Sequence, residues 1–347
     1  MLMGKRLQVK PAGSRKEWHD EGMTSAAVTS SSWTSEDIPS QVGRTIVITG
    51  ANSGLGFASA TALAHRGALV VMACRDPKRG LDALDCVRDA ATDAEPLLLK
   101  LDLADLDSVQ AAAKELAELV DRVDVLMNNA GVMALPLRRT AQGHEMQFGT
   151  NHLGHYAFTG RLLPLLLAAP DPRVVTTSSQ MHRLGKMAWA DLDWNERRYQ
   201  RWPAYGQSKL ANLQFAYELA RRAHNMGSSL KSVAAHPGYA STGLQQAGPT
   251  MAGRRITARI MNLGNRIAGQ EASSGALPQL FAATSKEARS GAYYGPDGLG
   301  QMRGAPTEVT SSAAARSRDE AHRLWNLSEE MTGFAYEWNA QNTSASG

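Results

Sequence analysis

The feature that most constrains this chain is Thr49-Gly50-Ala51-Asn52-Ser53-Gly54-Leu55-Gly56, which follows directly on a short β-branched run at 44–49 (RTIVIT). Such a run reads as a buried parallel strand, because it is apolar on both faces and glycines close it at once. Glycines spaced TGxxxGxG between a strand and a helix have a physical use. They give a tight turn, keep side chains away from the backbone, and lead into the positive end of a helix. The pyrophosphate of a dinucleotide needs all three. Glycines also mark ordinary turns, so the pattern takes its meaning from its place, strand before and helix after. Gly50, Asn52, Ser53, Gly54, Leu55 and Gly56 are therefore candidate cofactor contacts.

The same rhythm continues down the chain. Apolar runs at 69–74, 97–101, 123–127, 173–178 and 230–236 alternate with helical patterns such as 108–120 and 210–223, and Tyr293-Tyr294 before Gly295-Pro296 adds a last strand. Strand and helix in alternation predict an α/β, doubly wound, largely parallel seven-stranded sheet with helices on both faces, in a single domain over 41–335. Residues 1–40, rich in Ser, Thr, Gly and charge, read as a flexible arm, and 336–347 as a disordered tail. Met23 opens a second, more ordinary start, so whether 1–22 belong to the native protein is left open. An insertion at about 240–270 breaks the rhythm. It carries Arg254, Arg255, Arg259 and Arg266, no acidic residue, and Ile256, Ile260, Leu263 and Ile267 at helical spacing. A pocket lid, a peripheral contact with an anionic membrane and a solvated amphipathic helix all fit it.

Composition narrows the partners. A 43% hydrophobic fraction in 347 residues supports a large core, and a net charge of +4 with scattered arginines argues against nucleic acid. Two cysteines, Cys74 and Cys86, make no disulfide framework and fit a reducing, cytoplasmic setting. No run approaches the roughly 18 apolar residues of a membrane span.

The second strand ends in Arg75-Asp76. An acidic residue there usually holds the adenosine ribose, whereas an arginine can pair with a 2′-phosphate. Arg75 favours NADP(H) over NAD(H); the plain alternative is a solvated charge beside Asp76. Asp102, with Leu103 beside it, follows the third strand as a candidate adenine contact, or as a turn residue.

Five motifs in order, TGxxxGxG, Asn128-Asn129-Ala130-Gly131, Asn151, Ser178-Ser179 and Tyr205-Gly206-Gln207-Ser208-Lys209, resemble the short-chain dehydrogenase/reductase family over about 40–245. Ala73-Cys74-Arg75-Asp76, Asn151-His152-Leu153-Gly154-His155-Tyr156, Ser208-Lys209-Leu210-Ala211-Asn212 and the stretch 324–333 (LWNLSEEMTG) are similar to its branch of retinol dehydrogenases and related bacterial ketoreductases. The resemblance implies a Rossmann-type fold and a catalytic set of Asn151, Ser179, Tyr205 and Lys209. It implies that Asn151 organises a water chain from Lys209, and that Ser179, second of its pair, positions the substrate oxygen. It also implies cofactor contacts at Asn129, Ala130, Gly131, Tyr205, Lys209, Pro237, Gly238 and Thr242, and helices after Asn151 and Tyr205 that often form a homodimer interface.

The chemistry of Tyr205 and Lys209 can be read apart from that likeness. Hydride transfer to a carbonyl leaves an alkoxide that needs a proton, and a tyrosine can supply it if its pKa falls from about 10. A depression of two or three units takes roughly 3–4 kcal/mol. A lysine four residues on lies one helical turn away and, with an oxidised nicotinamide, can provide it. By itself the spacing YxxxK usually marks a surface helix; the upstream motifs change that reading. Asn151 heads a helix, where asparagine is an ordinary N-cap.

Other arrangements rank lower. His144, His152 and His155 lack the cysteine or carboxylate pair that would complete a metal site, so no metal is expected. Ser179, His182 and Asp191 lack a nucleophile elbow. Trp189, Trp194, Tyr199 and Trp202, between Ser179 and Tyr205, either line an apolar pocket or anchor a loop. The expected function is interconversion of a small lipophilic carbonyl and its alcohol with NADP(H). The rival is a non-enzymatic NADP(H)-binding sensor on the same fold.

Overall fold

The computed structural model describes residues 33–238 and 272–338. Seven strands are parallel: β1 Thr45–Thr49, β2 Leu69–Cys74, β3 Leu97–Lys100, β4 Val125–Asn128, β5 Arg173–Thr177, β6 Lys231–Ala235 and β7 Tyr293–Pro296. Their order is β3-β2-β1-β4-β5-β6-β7, with β8 Pro306–Glu308 beyond β7. Side chains alternate across the sheet as its pleat requires. Ile46 and Ile48 enter one core while Val47 enters the other, and Val125 and Met127 oppose Leu126 in the same way. Both faces are buried, which is why these strands read as continuous apolar runs.

On one face lie α1 (Gly54–His65), α2 (Pro77–Ala90) and α8 (Ala272–Thr284). On the other lie α3 (Leu106–Leu119), α5 (Gly154–Arg161) and α7 (Arg201–Asn225), with α10 (Arg318–Thr332) packed against α7. Short helices α4 (Met146–Phe148), α6 (Leu163–Leu167) and α9 (Ala313–Arg316) complete the described α-helices. Because β2 and β3 lie on one side of β1 and β4 on the other, a crevice opens beyond the carboxyl ends of β1 and β4. No described helix is long and apolar enough to cross a membrane.

The structure corrects four expectations. The sheet has eight strands: β8 runs antiparallel to β7, and three residues beginning with a proline are too short to leave a pattern. The end of the expected arm is folded, since Ile38 is 2% exposed and Trp33 meets Phe281 edge-on at 5.5 Å. The expected tail begins too early. Tyr336 packs on Trp325 with ring centroids 4.5 Å apart and donates its hydroxyl to the Tyr156 carbonyl at 2.7 Å. Aromatic burial of this kind holds the chain after the helix has ended at Gly333. Finally, Asn151 is not an N-cap. It lies inside a π-helical turn, Gly149–Leu153, that joins α4 to α5 without a break. The 240–270 insertion and Thr242 fall outside the described residues.

Candidate active site

The two loops at the crevice are tied together by Thr49. Its hydroxyl oxygen accepts the N–H groups of Asn129 (3.0 Å) and Ala130 (2.9 Å), while the Asn129 amide donates to the Thr49 carbonyl at 2.7 Å. Gly50 turns with a φ of +68°, and at Gly56 a Cβ would stand 2.4 Å from the Gly50 carbonyl oxygen. Only glycine allows that approach. Helix α1 then starts with Ser53 as a boundary residue that makes no side-chain cap. Its first N–H groups, with the positive end of the helix, remain available to an anion. Asn52 and Leu55 are half-buried beside them, with Ser53 exposed and Gly54 at the start of the helix.

The residues expected to handle the proton come together at the ends of β5 and α7. Helix α7 begins at Arg201, earlier than the periodicity suggested, so Tyr205 and Lys209 sit well inside it. Both are buried, at 4% and 2% exposure. Lys209 donates to the Thr177 carbonyl at 3.1 Å, which leaves two ammonium hydrogens for other acceptors. The adjacent serines separate cleanly. Ser178 donates to the Lys209 carbonyl at 2.8 Å and is structural, whereas Ser179 starts a 3₁₀ turn, accepts from Met181 N–H at 3.3 Å and lies near enough to Tyr205 for its hydroxyl to favour the phenolate. Asn151 accepts from Val132 N–H at 2.8 Å and donates to Val132 O and Ser208 Oγ, both at 2.9 Å. Ser208 in turn donates to the Tyr205 carbonyl at 2.8 Å.

Electrostatics bear on the protein's own share of that chemistry. Burial pushes the Tyr205 hydroxyl up to about 12, and the nearby Ser179 hydroxyl only partly opposes it. The Lys209 nitrogen lies 5.7 Å from the Tyr205 ring centroid, and burial pushes its own pKa down to about 8. The expected depression of Tyr205 is thus not produced by the protein alone, because desolvation of the phenolate outweighs it. In this environment Tyr205 is a protonated acid.

The residues fit a dinucleotide. At Gly131 a Cβ would come within 3.1 Å of Asn151 Oδ1 and 3.5 Å of Lys209 Nζ, so the bare backbone keeps open the space that these groups face. Asp76 spends its carboxylate capping α2, accepting from Lys78 and Arg79 N–H at 3.0 and 3.2 Å. Arg75 is exposed and makes no such bond among the described residues. Asp102 is engaged in its own turn, accepting from Ala104 N–H at 3.0 Å, and the carbonyl of buried Leu103 packs against Gly154. Pro237 and Gly238 follow β6, and Gly238 N–H donates to His236 Nδ1 at 3.1 Å.

Several residues escaped the sequence reading. Arg79 lines a groove of about 300 Å³ with Asn52, Ser53 and Cys86, beside the glycine loop. His155 bridges Thr49 Oγ1 and the Asn151 carbonyl, each at 2.9 Å. His182 bonds the Ser179 carbonyl at 2.7 Å and accepts from Ser312 N–H at 3.1 Å. Two further histidines are also engaged: His144 pairs with Asp193 at 3.0 Å, and His152 with Ser328 at 2.7 Å. Asp191, once considered beside His182, is instead a loop anchor that accepts from Asn195, Glu196 and Arg197 N–H groups. The spacing TNHLGH placed His155 near Asn151, but its partner Thr49 lies 106 residues away.

Known proteins agree with this geometry. The family model for short chain dehydrogenase matches residues 44–252. Retinol dehydrogenase 14 of Mus musculus is 36% identical over 308 residues, covering 84% of this chain and 86% of that one. Retinol dehydrogenase 13 of Homo sapiens is 36% identical over 293 residues, covering 84% and 85%. A solved structure of an uncharacterized protein from Mycobacterium Paratuberculosis aligns with a TM-score of 0.72 and 41% identity, over 88% of this chain and 99% of that one. The chain belongs to the short-chain dehydrogenase family, is retinol-dehydrogenase-like, and is an oxidoreductase of the carbonyl/alcohol pair.

Proposed function

We propose that the protein reduces lipophilic aldehydes or ketones with NADPH, and runs the reverse reaction when alcohol and NADP are in excess, with Tyr205 as general acid and base. The observation that carries this reading is the hydroxyl pair Ser179–Tyr205 at the sheet's carboxyl edge, backed by the buried ammonium of Lys209. The glycine loop and the uncapped start of α1 would hold the pyrophosphate, Lys209 the nicotinamide ribose, and Arg75 the 2′-phosphate. When bound, the nicotinamide supplies or accepts the hydride.

The protein's own part is positioning and proton transfer. Ser179 donates a hydrogen bond to the carbonyl oxygen and holds it beside Tyr205. Tyr205 then gives that oxygen its proton. With its pKa at about 12 Tyr205 holds the proton at neutral pH but is a weak acid, so the Lys209 ammonium and a bound oxidised nicotinamide would have to lower that value for fast transfer in either direction. The relatives are named for retinol, a lipophilic alcohol, and this supports the substrate class.

The test is NADPH oxidation with a panel of aldehydes and ketones, comparing wild type with Tyr205→Phe. Turnover should fall about 10²–10⁴-fold in the variant, with NADPH binding retained. If both proteins bind NADPH and neither turns over any carbonyl, the sensor reading replaces this one. A preference for NADH in the same assay overturns the cofactor assignment.

A further inference from the structure

Four aromatic residues lie between Ser179 and Tyr205, and three of them are fully engaged. Trp189 is covered by the Arg323 guanidinium at 4.8 Å. Trp194 is 5% exposed, packed under Arg197 at 3.4 Å and edge-on to Tyr199 at 5.4 Å. The Tyr199 hydroxyl lies 3.0 Å from the carboxylate of Glu145 and 3.1 Å from the Leu135 carbonyl, two acceptors for its one proton, and itself accepts from the Gln147 amide at 2.9 Å. These are anchors for the loop. Trp202 differs. It is 45% exposed, and its only ring contact among the described residues is with Tyr205, edge-on with centroids 6.4 Å apart and planes at 81°.

The backbone beneath Trp202 is fixed. Gln147 donates to the Arg201 carbonyl at 3.0 Å, and Ala204 N–H closes the first turn of α7 onto Gln200 at 3.0 Å. A half-exposed indole on a fixed backbone, with only two side-chain torsions to order, covers apolar area at little entropic expense. Its surroundings match. Leu137, Leu184, Leu299 and Met302 are also large, apolar and exposed. Each lies on a segment joined to the site. Leu137 is two residues beyond Leu135, which bonds Tyr199, and Leu184 precedes Gly185, which packs on the Gly206 carbonyl. Leu299 and Met302 flank Gln301, which bonds His236 and Gln180. Five of the nine exposed large apolar side chains among the described residues thus lie on segments bonded to the loops of the site, and Trp202 alone of them has a ring contact with Tyr205.

We infer that Trp202 is a specificity-determining residue, the wall against which a flat, aromatic or conjugated substrate lies while its carbonyl reaches Tyr205. The inference rests on the carbonyl-reductase reading and sharpens it: planar carbonyls are preferred over flexible aliphatic ones of equal carbon count. A rigid ring loses less rotational freedom on binding and meets the indole face over its whole area.

Acetophenone and 2-octanone, both methyl ketones of eight carbons, are suitable probes. The ratio of their kcat/KM values should favour acetophenone in the wild type. It should fall about tenfold in Trp202→Ala, through KM rather than kcat, and recover most of that in Trp202→Phe, which keeps a flat face. A ratio that is the same in all three proteins overturns the inference and leaves the reductase reading standing. The second arm needs no turnover. Acetophenone should quench the emission that distinguishes wild type from Trp202→Phe, and 2-octanone should not. If no ketone is turned over but this quenching is seen, the reductase reading fails and the Trp202 wall stands; equal quenching by both ketones, or none by either, rejects the wall.

Discussion

Asn151 and Val132 hold each other by two hydrogen bonds, Val132 N–H to Asn151 Oδ1 at 2.8 Å and Asn151 Nδ2 to the Val132 carbonyl at 2.9 Å. The pair fixes which end of the amide points where, and Nδ2 also reaches Ser208. The loop after β4 is thereby clamped to the π-helical turn. Asn151→Asp keeps the shape and removes both donated bonds, setting a buried carboxylate against a carbonyl. Unfolding free energy should drop by about 2–4 kcal/mol, as expected for lost bonds and an unpaired buried acceptor. Carbonyl reduction should fall at least tenfold. Urea titration at pH 8 measures the first, and an Asp variant as stable as wild type there would contradict the clamp.

The neighbouring serines offer a matched pair. Ser178 is 2% exposed and gives the Lys209 carbonyl a second bond beside that of the helix, so Ser178→Ala removes one buried hydrogen bond and should cost about 0.5–1.5 kcal/mol of stability. Ser179→Ala loses only a weak cap to Met181 N–H at 3.3 Å, within about 1 kcal/mol. Its reduction rate should nonetheless fall about 10²–10³-fold, the loss typical when one donor to a developing oxyanion is removed. Melting curves and kcat on one set of preparations separate the two. The assignment of Ser179 fails if the stability and rate effects are interchanged.

Arg75 should act on the cofactor and on nothing else. It is exposed and bonded to no described group, so Arg75→Ala should leave the melting temperature unchanged. One charge-assisted pair with a 2′-phosphate is worth about 1.5–3 kcal/mol. The dissociation constant for NADPH should therefore rise about 10- to 100-fold, with that for NADH unmoved. Fluorescence titration of both cofactors decides it. Equal weakening of NADPH and NADH would show that Arg75 supports the loop rather than reading the phosphate.

The parts of this protein that were legible in the sequence are those fixed by local chemistry. Seven strands declared themselves because a strand buried on both faces must be apolar throughout, and the loop at Gly50–Gly56 because no other residue tolerates those approaches. What stayed hidden depends on distant partners. Asn151 looked like an N-cap because its π-helical turn has no signature of its own, and its bonds run to Val132 and Ser208. Tyr336 looked like tail because Trp325 and Tyr156 bury it from elsewhere. Ser178 and Ser179 are indistinguishable as letters; only the Lys209 carbonyl tells them apart.

The histidines make stability a steep function of acid. His152, His155, His182 and His236 are each 1% exposed, and burial pushes their pKa values down from 6.5 to about 3, 4, 4 and 4. An imidazole with a depressed folded pKa takes up its proton more readily in the unfolded chain. Acid therefore favours unfolding, starting as pH falls below 6.5 and growing until the folded values are reached. Two groups oppose this. His144, raised by its bond to Asp193, stabilises fully below 6.5 and loses that contribution as pH rises through its folded value. Glu145, raised by burial, favours the folded state as it protonates. Four groups outweigh two, and each contributes up to about 1.4 kcal/mol per pH unit. Unfolding free energy should be nearly level from pH 7.5 to 6.5, then decline by roughly 3–5 kcal/mol per unit toward pH 5. His152→Leu, which removes one buried imidazole, should shallow that slope by about a quarter. Urea unfolding at pH 7.5, 6.5 and 5.5 gives the slopes directly, and level stability down to pH 5.5 would mean that these imidazoles are already protonated in the folded protein.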